Sequence, residues 1–327
     1  MSEMFRRVGA RLFLAVVAVA MISICALAEE KTAEDWAIMG EELLGNGSVA
    51  EAIPALEKAI ELFNESIRLN PDDHKAWLGK AHALYVIAPF KEMATNESIA
   101  GYEKVIEIDP RNIEAWIGMG NALYTLTLTT YEGQDRNKLF ENALKAFDTA
   151  IEIDPINVDA WSGKGIVSIQ SGRYNESLEA YDKLIELNSG NGQAWNGKGL
   201  ALAAQERYDE SIQAYDRSIE LDPKYGLNWN NKGRALLKLG KHDEAINAFD
   251  KSIEIDPRNI LAWTDKGDAL LALGKDKEAL DAYTQAIEIS SQFGTAWWGK
   301  GLALKALGRD LEADAAFAKA EEIGYQG

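Results

Sequence analysis

Cysteine and histidine are scarce in this sequence. The single cysteine, Cys25, lies in an apolar N-terminal segment, so no disulfide can form within the chain and a thiol nucleophile is disfavoured. No two of the three histidines, His74, His82 and His242, have the close spacing of a zinc-binding His-Glu-x-x-His pair. A Gly-rich phosphate loop and a catalytic triad order are also lacking. We therefore expect no metal, no cofactor and no catalytic site.

Basic residues are outnumbered by acidic ones. The 327 residues contain 34 Lys and Arg against 52 Asp and Glu, which gives a formal net charge of −18. Affinity for nucleic acid comes largely from basic side chains that neutralise phosphates, so this balance excludes nucleic acid as the expected partner. It also disfavours docking on anionic lipid and favours neutral or basic partners.

The N-terminus has the order of parts found in a secretory signal. Three arginines occur within the first 11 residues, an uncharged run follows over 12–28, and Ala26-Leu27-Ala28 fits a signal-peptidase site. We predict that residues 1–28 are a signal peptide or a signal anchor. Residues 12–28 are short for a membrane span but leave attachment open. Both alternatives predict an extracytoplasmic protein that is secreted or held at the membrane.

Tryptophan recurs with a fixed period through the rest of the chain. The last five of the phased tryptophans are each 34 residues apart, and the earlier gaps are 41, 39 and 45 residues. A period of this size is typical of a tandem structural repeat. The eight phased residues are Trp36, Trp77, Trp116, Trp161, Trp195, Trp229, Trp263 and Trp297.

Small and aromatic residues keep the same phase. A glycine lies four residues after Trp at Gly165, Gly199, Gly233, Gly267 and Gly301. An aromatic residue lies twenty after at Tyr181, Tyr215, Phe249, Tyr283 and Phe317. Asp-Pro closes units at Pro110, Pro155, Pro223 and Pro257. We expect close helix packing at the glycines, with the Trp and aromatic side chains filling the core.

This pattern resembles the tetratricopeptide repeat over residues 32 to about 325. The leucine that precedes glycine in the family motif is here mostly lysine, a departure that leaves the small and apolar phase intact. The resemblance implies an all-α, right-handed α-solenoid of antiparallel helix pairs over 29–327, with eight repeats and an N-terminal apolar targeting helix before it. Insertions disturb the first three repeats, around Pro54, over 86–97 and over 125–140.

The unit around Trp229 shows why the spacing predicts two helices. Apolar residues after Trp229 recur on one helix face, and Gly240 suits the left-handed position that ends helix A. Asp243 and Glu244 favour the start of helix B, and Asp256-Pro257 stops it.

The resemblance also implies where a ligand binds. In the family, helix A of each unit lines a concave groove that holds peptides or partner helices. Positions one, five, eight and nine after Trp are expected to face it, and polar side chains there can hydrogen-bond a peptide backbone. The predicted peptide-binding residues are Ser162, Asn196, Asn230, Asn231, Arg234, Lys238, Thr264 and Trp298.

Two features have competing interpretations. Trp298 is either an exposed binding anchor or a packing partner of the last helix. The lysines three after Trp are either a basic stripe or, as we favour, side chains whose stems cover apolar surface while the ammonium groups meet acids of helix B. These lysines are Lys164, Lys198, Lys232, Lys266 and Lys300.

The functional prediction is a protein-protein interaction module that binds a protein or peptide ligand and is not an enzyme. One alternative is a structural spacer or self-associating array, and another is a repeat-fold hydrolase that uses some of the abundant paired acids. The sequence does not identify the partner, the pathway or the oligomeric state.

Overall fold

The computed structural model of the protein describes residues 31–91, 93–130 and 133–325. The predicted targeting segment, residues 1–28, lies outside the described residues. Within them every regular element is helical, and none of the helices is long and apolar enough to cross a membrane.

The described part of the chain contains sixteen α-helices and one 3-10 turn at Ala88–Phe90. In chain order the α-helices are α1 (Ala33–Gly45), α2 (Val49–Leu69), α3 (His74–Ile87), α4 (Ala94–Ile108), α5 (Ile113–Thr129), α6 (Gln134–Ile153), α7 (Val158–Gln170), α8 (Tyr174–Leu187), α9 (Gly192–Ala204), α10 (Tyr208–Leu221), α11 (Gly226–Lys238), α12 (His242–Ile255), α13 (Ile260–Ala272), α14 (Asp276–Ile289), α15 (Gly294–Ala306) and α16 (Asp310–Glu322).

These helices form eight consecutive A–B pairs, which confirms the all-α repeat architecture. In repeats 1, 2 and 4–8 the A and B helices of one unit pack against each other. The chain divides into two compact units, Met1–Ala122 and Leu123–Gly327, which are described separately. In the second unit, each B helix from α6 to α14 also packs on the A helix that follows it.

The core of each repeat is built around the aromatic residue of helix B. Tyr215, Phe249 and Tyr283 are at most 1% exposed, because glycines of the A helices lie against their rings. A Cβ on Gly267, in the same repeat as Tyr283, would come within 2.7 Å of the Tyr283 ring. A Cβ on Gly299, in the next repeat, would do the same. The close approach predicted at the phased glycines is therefore present.

The phased tryptophans are half-buried and pack against the edges of the core clusters, so the expected core role holds in part and the centre of each core is the aromatic residue of helix B. The indole Nε1 of Trp229 donates to the carbonyl of Pro223 at 3.3 Å, and Trp263 donates to Pro257 at 3.0 Å. Seven of the eight indoles bond in this way to the loop that precedes their own A helix and so tie that loop to the repeat.

Two of the expected insertions take a different form. Residues 125–129 extend helix α5 to Thr129 instead of forming a connection. Pro54 lies inside α2, near its N-terminal end, and the helix continues to Leu69. The segment after α3 does form a turn, as predicted, and Met93 adopts a left-handed φ of 70° there.

Asparagine side chains begin several A helices. Asn157, Asn191 and Asn259 accept a hydrogen bond from the backbone N–H three residues later. Such a cap satisfies an N–H that has no partner within the helix. Repeats 6 and 8 depart from this pattern, because Tyr225 and Phe293 occupy the cap position and their side chains make no cap bond.

Candidate functional site

The A helices of the second unit form a continuous surface. Each A helix from α7 to α13 contacts the A helix of the next repeat, so side chains of neighbouring repeats lie side by side. The position five residues after Trp is exposed on every one of these helices. We call this surface the A-helix face and define it by Ile166, Leu200, Arg234, Asp268 and Leu302.

The position one residue after Trp is less accessible than the spacing suggested. Asn230 is 1% exposed and Thr264 is 3% exposed, while Ser162 and Asn196 are half-buried. The Asn230 amide donates to Asp265 of the neighbouring A helix at 3.2 Å. This position therefore faces the contact between A helices, and the expected exposed polar row is interrupted at Asn230 and Thr264.

Polar residues replace glycine at one position of repeats 6 and 7. The residue two after Trp is glycine at Gly79, Gly118, Gly163, Gly197 and Gly299. In repeats 6 and 7 it is Asn231 and Asp265. Asn231 donates to Asn196 at 3.0 Å, so hydrogen bonds between side chains link α9 to α11 and α11 to α13. Sequence reasoning missed Asp265, although its departure from the glycine phase was a readable signal.

Burial raises the pKa of the two acids beside this link, Asp265 and Asp268. The side chain of Asp265 is 19% exposed, and desolvation raises its pKa to about 6. Arg234, whose Nε lies 3.8 Å from the carboxylate, and the Asn230 amide oppose this rise. Asp268 lies closer to solvent but accepts a 2.5 Å hydrogen bond from Tyr283, and desolvation there also raises its pKa. Arg234 and Asp268 place both signs of charge on the A-helix face within repeats 6 and 7.

Two clefts open on the A-helix face. The Arg234 cleft, about 220 Å³, is lined by Arg234, Lys238 and Asn231 together with Leu200 and Tyr215. These residues offer a positive edge and an apolar floor in an otherwise acidic protein. Such a combination can hold an apolar side chain next to a carboxylate.

The Asn196 cleft, about 310 Å³, lies on the preceding repeats. It is lined by Ser162 and Asn196 with the apolar side chains of Ile166 and Leu200, and also by Asn191, Gln193 and Tyr225. Leu200 lines both clefts, so the two are neighbours. The structure therefore brings five of the eight predicted residues to adjacent clefts: Ser162, Asn196, Asn231, Arg234 and Lys238.

Trp298 packs against the C-terminal part of the chain. Its ring centroid lies 4.7 Å from that of Phe317 and 6.0 Å from that of Tyr325. The packing alternative is thus what the structure shows, although Trp298 stays half-exposed.

The lysines three after Trp form ion pairs with the preceding helix B. Lys198 meets Asp182 at 2.6 Å and Lys266 meets Asp250 at 2.6 Å, and Lys164 and Lys232 do the same. Each ammonium also lies over the indole of its own repeat, at 5.3 to 5.8 Å from the ring centroid. The interpretation as lysines paired with helix B is confirmed for these four. At Lys300 the equivalent acid is replaced by Thr284.

No group of three or more His, Cys, Asp or Glu in the described part of the chain is placed to hold a metal ion. The side chains of the A-helix face offer hydrogen bonding, charge and apolar contact.

Stacked helix pairs with a clefted A-helix face define an α-solenoid of the protein-interaction class. Tetratricopeptide repeat models match residues 39–87, 134–191, 168–225, 228–259, 248–281 and 267–308. The chain belongs to the tetratricopeptide repeat family, and its repeats make it a protein-protein interaction module.

Solved structures show the same fold. The yeast Tom70 crystal structure is similar with a TM-score of 0.63 and 19% identity, covering 91% of this chain and 62% of that one. A tetratricopeptide repeat protein from Parabacteroides merdae is similar with a TM-score of 0.59 and 16% identity, covering 83% of this chain and 98% of that one. At these identities the likeness concerns the fold alone. A search of curated proteins finds no match.

Proposed function

We propose that the chain binds an extended protein or peptide segment along the A-helix face of repeats 4–7. The observation that carries the proposal is the pair of adjacent clefts that share Leu200. Exposed apolar side chains at Ile166 and Leu200 lie next to hydrogen-bonding and charged groups. Ligand pockets commonly combine apolar walls with a few polar groups, because the polar groups fix the orientation of the bound ligand.

The charged residues of the A-helix face indicate which groups the bound segment carries and in what order. Arg234 and Lys238 would accept an acidic side chain or a terminal carboxylate in the Arg234 cleft. Asp268, one repeat further along, would favour a basic or hydroxyl group. The proposed partner therefore carries apolar residues, followed by an acidic group and then a cationic or neutral one.

A capture experiment with matched variants tests this proposal. Leu200→Asn and Arg234→Ala alter the A-helix face, whereas Ile255→Asn and Arg217→Ala make the same changes on B helices. Leu200 and Ile255 are both 37% exposed, so the two substitutions alter similar areas. Partners would be captured by chemical crosslinking. We expect Leu200→Asn and Arg234→Ala to lose the crosslinked partners, and the two B-helix variants to keep them. Equal recovery from all four would show that the partner binds elsewhere.

We further propose that this module works outside the cytoplasm or at a membrane. The support is the sequence of residues 1–28, with a basic start, an uncharged run and Ala26-Leu27-Ala28. N-terminal sequencing of the protein recovered from its source should begin at Glu29 if the segment is cleaved. An intact N-terminus in the membrane fraction would indicate an anchor instead, and an intact soluble cytoplasmic protein would contradict the proposal.

A further inference from the structure

Repeat 6 departs from the other repeats at the residue before Trp. That residue is alanine in repeats 2–5, 7 and 8: Ala76, Ala115, Ala160, Ala194, Ala262 and Ala296. In repeat 6 it is Asn228, which is 2% exposed. A polar side chain thus occupies a position that holds a buried methyl group in those six repeats, while repeat 1 has the exposed Asp35 there.

The side-chain oxygen of Asn228 is not satisfied by the protein. Its Oδ1 is buried and has no hydrogen-bond partner among the described residues. A buried acceptor without a partner destabilises a fold, so such groups in native proteins call for an explanation. Because alanine serves in the same place six times, packing does not supply that explanation.

The Asn228 side chain lies at a cleft distinct from the Arg234 cleft. This Asn228 cleft, about 310 Å³, lies between the loops that begin α9 and α11 and is lined by Asn191, Gln193, Asp222, Tyr225 and Asn228. Asn188, Gly190, Gly192 and Leu221 complete it. Tyr225 is 45% exposed and replaces the asparagine cap found in repeats 3, 4, 5 and 7, so repeat 6 carries two departures at one cleft.

Several polar groups around the cleft keep bonding capacity. Asn191 uses Oδ1 to cap α9, and Asp222 uses Oδ1 to accept from the Lys224 N–H, which leaves the Asn191 NH₂ and the second Asp222 oxygen. Gln193 adds an amide with both donor and acceptor. Lys and Arg are missing from the lining, so an anionic ligand has no counter-charge there.

We propose that the Asn228 cleft binds a neutral saccharide. Vicinal hydroxyls both donate and accept, which matches amides at Asn228 and Gln193 and a carboxylate at Asp222. The flat C–H face of a sugar ring suits the exposed Tyr225 ring, which offers apolar area beside a polar edge. A peptide group could pair with the Asn228 amide, but it would leave the remaining donors and acceptors around the cleft less evenly matched.

The Asn228 cleft contains neither Leu200 nor Arg234, the residues that the capture experiment changes, but it shares Asn191, Gln193 and Tyr225 with the Asn196 cleft. Asn228 itself lines only the Asn228 cleft among these three, so Asn228→Ala separates sugar binding from partner capture, whereas Tyr225→Asn alters both sites.

Two variants that restore the pattern of the other repeats make a sharp test. Asn228→Ala and Tyr225→Asn should fold, because other repeats carry those residues at the same positions. Full-length protein would be titrated with cellobiose, maltose, N,N′-diacetylchitobiose and the neutral peptide N-acetyl-diglycine amide. Calorimetry would measure affinity, and the fluorescence of the adjacent Trp229 would report occupancy.

We expect saturable binding of at least one disaccharide by the wild type. Each variant should weaken that binding by about tenfold or more, which corresponds to roughly 1.4 kcal/mol, while its melting temperature stays equal or rises. Asn64→Ala, an exposed amide on α2, is the control and should leave binding unchanged. The proposal would be overturned by no binding of any disaccharide, by variants that bind the disaccharide as tightly as the wild type, or by binding of the peptide alone.

Discussion

The β-carbon that Gly233 lacks would lie 2.5 Å from Cε1 of the buried Phe249 ring. Alanine is otherwise better than glycine in a helix by about 1 kcal/mol, so two effects oppose each other here. Forcing an extra carbon into a packed core typically costs about 1–3 kcal/mol, and a ring that is 0% exposed has little room to move. Packing therefore decides the sign.

We expect Gly233→Ala to lower the free energy of unfolding by a net of up to about 2 kcal/mol. Gly45→Ala is the matched control, because Gly45 ends α1 and a Cβ there meets nothing within 4 Å. Thermal unfolding followed by circular dichroism measures both. A Gly233 variant as stable as the Gly45 variant would contradict the packing described for the repeats.

The raised pKa of Asp265 predicts a pH-dependent stability. An unfolded aspartate has a pKa of about 3.9, and burial raises the folded-state pKa of Asp265 to about 6. Ionisation therefore costs more in the folded protein, so stability that is present below about pH 4 is lost as pH rises through about 6. At pH 7.5 we expect Asp265→Asn to be more stable than the wild type by roughly 2–3 kcal/mol.

Chemical unfolding at pH 4 and pH 7.5 tests the Asp265 prediction. The advantage of Asp265→Asn should shrink to about 0.5 kcal/mol or less at pH 4, where the wild-type carboxyl is protonated in the folded state and about half protonated in the unfolded state. Asp281→Asn, at an exposed position of α14, is the matched control. The same pH trend in both variants would point to net charge rather than to burial.

The missing acid opposite Lys300 can be restored. Four repeats pair the lysine three after Trp with an aspartate sixteen residues earlier, and Thr284 replaces that aspartate in the last case. We expect Thr284→Asp to add about 0.2–1 kcal/mol of stability, the range of partly exposed ion pairs. Thr284→Asn is the uncharged control. The gain should fall in high salt, and a gain that salt does not reduce would rule out the ion pair.

Glu206 holds a left-handed backbone conformation at the end of α9. Its φ is 59°, and the equivalent residues in other repeats are glycines such as Gly172 and Gly240. A side chain in this region is strained, so we expect Glu206→Gly to stabilise the protein by about 0.5–1 kcal/mol. Gln205→Gly, one residue earlier at φ −90°, should instead lower the melting temperature. A lower melting temperature for Glu206→Gly would contradict the strain.

Sequence spacing predicted the eight helix pairs because small and bulky residues keep one phase through the chain. The glycines four after Trp meet the aromatic residues twenty after Trp, and both sets are visible in the sequence. Spacing could not give the accessibility of Asn230, because this depends on how closely the next A helix approaches. The insertion before α6 was also misjudged, because nothing in residues 125–129 forbids a longer helix.

Part of the candidate site was also predictable from the fixed phase of the repeat. Arg234 and Lys238 lie on the expected side, whereas the acids opposite them were overlooked because charged residues are common throughout the chain. Asn228 and Tyr225 stand out only when each repeat is compared with its neighbours at a single position.

The contact between Trp298 and Phe317 has a consequence for protein engineering. In repeat 7 the buried ring is Tyr283, and Gly299 of the A helix of repeat 8 packs against it. In repeat 8 the equivalent ring is Phe317, and Trp298 packs against it instead. Tyr325 lies beside Gly294 and contacts Trp298. A ninth helix pair docked on Phe317 would have to displace these two rings. Shortening Trp298 to the asparagine found at Asn196 is therefore the first edit to make when the array is lengthened by design.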